Sequence, residues 1–111
     1  MPTDADLVAL PKAHLHLHLT VGMRQTTLLE LAAPDVLCLQ ETKCAGDAFP
    51  GEGAEALGYE VAANGDGRWN GVALLSRVGL TDVTRGLRDQ PGFPAAECRA
   101  IGATCGPVRL W

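Results

Sequence analysis

Four consecutive apolar residues, Val36, Leu37, Cys38 and Leu39, stand between a Pro34-Asp35 breaker and the polar series Gln40, Glu41, Thr42, Lys43. A short apolar run without alternation reads as a strand covered on both faces, the habit of central strands in layered α/β sheets. Such a strand releases polar groups at its C-terminal end, here Glu41. The surrounding chain is suited to covering it: 47% of the 111 residues are hydrophobic and 20% charged, proportions that exclude wholesale disorder. The length allows one domain at most, burying roughly 65% of the surface of its unfolded chain.

Upstream, His14, Leu15, His16, Leu17, His18 and Leu19 alternate strictly. A strand there turns the three histidines to one face and the three leucines to the other. Residues 25–33 predict a short helix, with Thr27 and Glu30 at capping-box spacing, and Pro34 ends it. A helix over 49–57 is weakened at Gly51 and Gly53 by about 1 kcal/mol each, and Gly58 stops it. Strands are predicted over 59–63, 71–76 and 80–84, with a turn at 64–67 and a loop at 88–95. Residues 97–104 and 108–111 form a predicted hairpin around Cys105-Gly106-Pro107. The pattern stops in mid-strand at Trp111, and the open sheet edges this implies predict self-association or dependence on a partner.

The net charge is −4, from nine basic and thirteen acidic residues. That argues against a strongly basic, non-specific nucleic-acid binder, though not against an enzyme that holds DNA with a few placed groups. No apolar run reaches membrane-spanning length, and the N-terminus has no basic-then-apolar leader, so no membrane partner and a cytoplasmic location are expected. Cys38, Cys44, Cys98 and Cys105 show no CxxC spacing. Cys38 reads as a buried free thiol. Cys98 and Cys105 could face each other across the hairpin, but a cytoplasmic setting disfavours a disulfide.

Three features carry possible chemistry. Alternate residues on a strand lie about 6.5–7 Å apart on one face, so two of His14, His16 and His18 could converge on one zinc ion. A catalytic zinc site would still need carboxylates or Cys44, since no further histidine exists. The plain alternative is the solvated face of an edge strand. Glu41, at the end of the buried strand, could hold Mg²⁺, which prefers oxygen ligands and keeps several waters; a solvated glutamate is the alternative. Asn70 could hydrogen-bond a phosphate, but Asn70-Gly71 is also an ordinary turn dipeptide. Arg68, Arg77, Arg85, Arg88 and Arg99 could contact phosphates or simply face solvent.

Two resemblances follow. Residues 10–32, LPKAHLHLHLTVGMRQTTLLELA, resemble the start of an adenosine deaminase, whose barrel opens on a His-x-His strand. The resemblance implies His16 and His18 as zinc ligands. Residues 34–111 resemble the exodeoxyribonuclease III and AP endonuclease branch of the endonuclease/exonuclease/phosphatase family, through PDVLCLQETK, ALGYEVA, GRWNGVALLSR and ECRAIGATCGPVRLW. This second resemblance implies Glu41 as the Mg²⁺ (or Mn²⁺) ligand of an LQET motif, Asn70 near the substrate, and DNA as partner. The implied activity is that of a metal-dependent 3′-5′ exonuclease or AP endonuclease.

The family's first-strand asparagine, its Asp-x-Asn pair and its C-terminal Asp-His pair have no counterpart in these 111 residues. No complete catalytic set is therefore expected, and activity alone should be negligible. The expected fold class is α/β (α+β): part of an endonuclease/exonuclease/phosphatase-type sandwich, residues 34–111, with a foreign deaminase-like strand and helix in residues 1–33. The chain so read is a chimera or truncated product. The competing expectations are a deaminase-like zinc hydrolase remnant, a non-catalytic metal- or DNA-binding module, and a gene product without selected function.

Overall fold

The computed structural model describes residues 13–14, 25–67, 69–87 and 97–111, with backbone alone at 13, 14 and 25. Strand β1 is Ala13–His14, helix α1 Gln25–Ala32 and strand β2 Val36–Gln40. A 3₁₀ turn at Gly46–Ala48 leads to helix α2, Glu52–Ala56. Strands β3, Glu60–Asn64, β4, Val72–Ser76, β5, Thr81–Arg85, β6, Ile101–Cys105, and β7, Val108–Leu110, complete the described elements. The first sheet has the order β1-β2-β4-β3 and the second β5-β6-β7. β1 runs parallel to β2, as expected for a strand-helix-strand unit, and every other pairing is antiparallel.

The apolar run at 36–39 becomes a central strand because both of its faces find cover. Leu37 and Leu39 point into a core with Leu29, Phe49, Ala54, Tyr59, Ala63, Ala73 and Leu75. Val36 and Cys38 point the other way, against Ala62, Leu74, Ile101, Ala103 and Cys105. Alternation along β4 repeats the split, with Ala73 and Leu75 toward the helices and Val72 and Leu74 toward the second sheet. The layers are therefore helix, sheet, sheet, and the first sheet is the middle one. Burial of a leucine such as Leu37 or Leu75 contributes about 2–3 kcal/mol by area.

Local signals explain where elements end. Ala33, in the left-handed region at φ 44°, donates its N–H to the Leu29 carbonyl at 3.1 Å and closes α1 before Pro34. Thr27 lies inside α1, so the predicted capping box is not a cap. Gly58 stops α2 as its composition predicts. At φ 88° it donates to the Glu55 carbonyl while Tyr59 N–H reaches back to Ala54, a Schellman closure. The Tyr59 hydroxyl donates to the Pro34 carbonyl, tying this turn to the start of β2.

The second sheet is built across a long connection. β5 pairs with β6 across residues 86–100. β6 begins at Ile101, so Cys98 precedes the strand that Cys105 ends. The two thiols therefore cannot oppose each other across the hairpin, where Cys105 pairs with Val108. All four cysteines are free. Of the predicted histidine strand only the backbone of His14 is described; His16 and His18 lie outside the described residues. The 88–95 loop also lies outside them. Among the described residues no helix is long and apolar enough to cross a membrane.

Burial pushes the Cys38 thiol above the ordinary 9.0, and neighbouring Cys105 adds to the effect. Burial likewise raises Cys105, with the Ser76 hydroxyl pulling the other way. Both folded thiols therefore hold their protons more tightly than unfolded ones. Their contribution to stability is full below the unfolded thiol pKa and is lost as pH rises through the folded value. The expected result is slow alkylation of Cys105, which is fully buried, under native conditions, with release on unfolding in urea. Mass mapping after an iodoacetamide time course checks it; rapid native labelling of Cys105 would contradict the sandwich packing.

Candidate functional site

Because β2 and β4 are antiparallel, the end of one meets the start of the other. Val36 faces Ser76 at one end of the pair and Gln40 faces Val72 at the other. The first end is structural. Asp35 and Arg77 form an ion pair there at 2.8 Å, and Arg77 N–H donates to the Asp35 carbonyl. The second end carries Glu41 on the β2 side and Asn70-Gly71 on the β4 side. Five residues of strand, roughly 17 Å, separate the two ends.

At the second end three loops meet around a cleft of about 120 Å³, lined by Gln40, Glu41, Asn70, Gly71, Val72, Cys98 and Arg99. The loops are stitched by backbone hydrogen bonds. Thr42 N–H donates to the Gly71 carbonyl at 3.2 Å and Lys43 N–H to the Asn70 carbonyl at 2.8 Å. Gly71 N–H in turn donates to the Cys98 carbonyl at 3.0 Å. Glu41, Lys43 and Asn70 all have left-handed backbones, at φ 54°, 52° and 58°. A left-handed residue other than glycine costs on the order of 1–2 kcal/mol, least for asparagine. Such costs gather where the chain must aim particular groups.

The sheets are held together beside this cleft. Asn64 donates through Nδ2 to the Ala100 carbonyl at 2.9 Å, and Arg85 through Nε to the Ala63 carbonyl at 2.8 Å. The first bond fixes the segment bearing Cys98 and Arg99 against the first sheet, and the second ties β5 to β3. The Arg99 guanidinium lies on the Glu97 carboxylate. That hydrogen bond, then the Glu97 charge, raise Arg99 above its ordinary pKa, and Glu41 adds a smaller push in the same direction. The cleft thus presents a carboxylate, an amide and a guanidinium on a polar wall.

Of the sequence candidates, the fold brings Glu41, Asn70 and Arg99 together. Arg77 is held at the opposite end, and Arg85 is used between the sheets. Arg68 and Arg88 lie outside the described residues. Cys44 packs against the helix-side core rather than beside a cluster of ligands, and no group of three or more His, Cys, Asp or Glu converges among the described residues. Asn70-Gly71 is not a hairpin turn: it enters β4 and clasps the loop after β2. Thr42 and the Cys98 carbonyl were not legible as site components, since their roles depend on pairings between distant segments.

The donor set suits a hard divalent cation held by one carboxylate and completed by water and substrate oxygens. It does not suit a closed cage of protein ligands.

The described chain is thus a layered sandwich with a carboxylate loop at one end of its central strands. The sequence profile of the Endonuclease/Exonuclease/phosphatase family matches residues 12–110, and the chain belongs to that family. Over 60 residues it is 44% identical to exodeoxyribonuclease III of Haemophilus influenzae, a match covering 54% of this chain and 22% of that protein. A Neisseria 3′ phosphatase solved with a product DNA hairpin superposes with a TM-score of 0.77 at 35% identity, covering 90% of this chain and 39% of that one. An AP endonuclease from Archaeoglobus fulgidus gives 0.76 at 29% identity, with the same coverage. A Streptomyces coelicolor protein named, provisionally, as an adenosine/adenine deaminase is 62% identical over 37 residues, 33% of this chain and 11% of that protein. The chain thus spans less than half the length of each of these relatives. The family match starts at residue 12, within the segment that resembles a deaminase.

Proposed function

We propose that this chain carries the glutamate-bearing part of a divalent-metal-dependent DNA phosphodiesterase site of the exodeoxyribonuclease III and AP endonuclease type. We further propose that it does not complete the reaction alone. The observation that carries the reading is Glu41, held with a left-handed backbone in a cleft it shares with Asn70 and Arg99. In this reading the Glu41 carboxylate holds Mg²⁺ or Mn²⁺, the Asn70 amide donates to a phosphate oxygen, and Arg99 adds positive charge to the same wall. A bound divalent ion would polarise a phosphoryl oxygen and offset its developing charge. Among the residues that line the cleft Glu41 is the one carboxylate, and no group of three or more His, Cys, Asp or Glu converges among the described residues.

The test is binding of a DNA hairpin with a 3′ phosphate, and of a duplex with an abasic site, with and without Mg²⁺. Mg²⁺ is expected to tighten binding, and Glu41→Gln to abolish that gain. No cleavage is expected from either protein. Mg²⁺-dependent cleavage lost in Glu41→Gln would replace the partial site by a complete one. Binding indifferent to Mg²⁺ would remove the metal reading.

The deaminase-like match favours a second reading, in which residues 1–33 are a joined segment and His16 and His18 hold Zn²⁺. Ammonia release from adenosine, lost in His16→Ala, would establish it. None is expected, because the chain has no histidine outside positions 14, 16 and 18 to complete a zinc site.

A further inference from the structure

Gly71 stands at the junction of the three cleft loops: its carbonyl accepts from Thr42 and its N–H donates to Cys98. It is buried, with φ 100°. A Cβ built on it would lie 2.1 Å from Thr42 Oγ1 and 3.4 Å from both Thr42 Cβ and Lys43 N. Relief would require a different Thr42 χ1 rotamer, which its branched Cβ restricts, or a shift of backbone that is bonded to Gly71. With Thr42 opposite and φ at 100°, contact this close between the β2 and β4 loops therefore calls for glycine at 71. Glu41 is the residue immediately before the bonded pair, and its left-handed backbone is fixed from that side by the two hydrogen bonds.

We infer that Gly71 is a positioning residue for the Glu41 carboxylate: its missing side chain lets the loop after β2 lie against the start of β4 and aims Glu41 into the cleft. The inference rests on the metal reading proposed above. A residue that orients a metal ligand without touching the ion changes affinity rather than abolishing the fold, typically by 10–100-fold.

The experiment titrates the full chain with Mn²⁺, following the free ion by electron paramagnetic resonance, alongside a thermal melt without metal. Gly71→Ala is expected to weaken Mn²⁺ binding at least tenfold. The double variant Thr42→Ala, Gly71→Ala removes the Oγ1 clash and is expected to recover part of that loss. Gly58→Ala supplies the control: it also places alanine at positive φ, 88°, but with nothing within 4 Å of the new Cβ and at the end of α2. It is expected to lower the melting temperature while leaving Mn²⁺ affinity unchanged. Wild-type affinity in Gly71→Ala, with loss in Glu41→Gln, would overturn the positioning role and leave the metal reading standing. Wild-type affinity in Glu41→Gln would overturn the metal reading, and the positioning role with it. Equal loss of affinity in Gly58→Ala and Gly71→Ala would reduce the effect to general destabilisation and overturn the inference.

Discussion

Leu75→Ala is expected to lower the free energy of unfolding by about 3 kcal/mol, within the roughly 2–5 kcal/mol range of buried leucine truncations. Leu75 is 0% exposed and lies between Leu37 on β2 and Val61 on β3, all facing the helix layer. The cost has two parts, the lost transfer free energy of the methyl groups and the cavity left in a middle layer that cannot collapse from either side. A small domain has only about 5–15 kcal/mol in total, so the variant should melt well below the parent. Urea titration followed by far-UV circular dichroism measures the difference. A loss under about 1 kcal/mol would mean that the helix layer does not cover the first sheet as described.

Gly65→Ala should be nearly as damaging, for a different reason. A Cβ there would sit 2.1 Å from the Cys44 carbonyl oxygen and 3.3 Å from its carbon, with Gly46 N at 3.4 Å. These are backbone atoms, so relief requires moving the loop that follows β2. That movement breaks the Gly46 N–H to Gly65 carbonyl bond at 3.0 Å and the bridge between Ala45 and Asp66. Overpacking and the lost hydrogen bond together are expected to cost about 3 kcal/mol. Calorimetry should place the midpoint at least 10 °C lower, at about 4–8 °C per kcal/mol. A midpoint within 2 °C of the parent would show that the two loops do not touch.

What could be read from the sequence follows from where information is local. β2 and β4 are legible because Val36–Gln40 and Val72–Ser76 are apolar enough to declare themselves buried. The stop at Gly58 is legible because one residue does the work. β5 is legible as a strand but not in its partner: four of its five residues are exposed, so nothing in its pattern selects β6. Thr27 and Glu30 matched a cap by spacing alone, and the packing of Leu29 set the helix frame instead. At the site, Glu41 is legible as the polar end of a buried strand. Arg99 is not separable in sequence from Arg77 or Arg85. Only the antiparallel register of β2 and β4 and the bonds between the sheets bring it into the cleft and send the other two elsewhere. The family could be recognised because its motifs are contiguous, whereas Gly71 matters through a residue roughly thirty positions away.

That separation also orders events during synthesis. Glu41, Asn70 and Arg99 are spaced at roughly thirty-residue intervals along the chain, so the cleft is closed by two successive long loops, each with its own entropy of closure. A ribosome that has released only the β2 segment exposes a lone glutamate. Release of β4 adds the glycine-threonine contact, and the arginine arrives only when β6 can dock. The cleft therefore forms only once all three segments have docked.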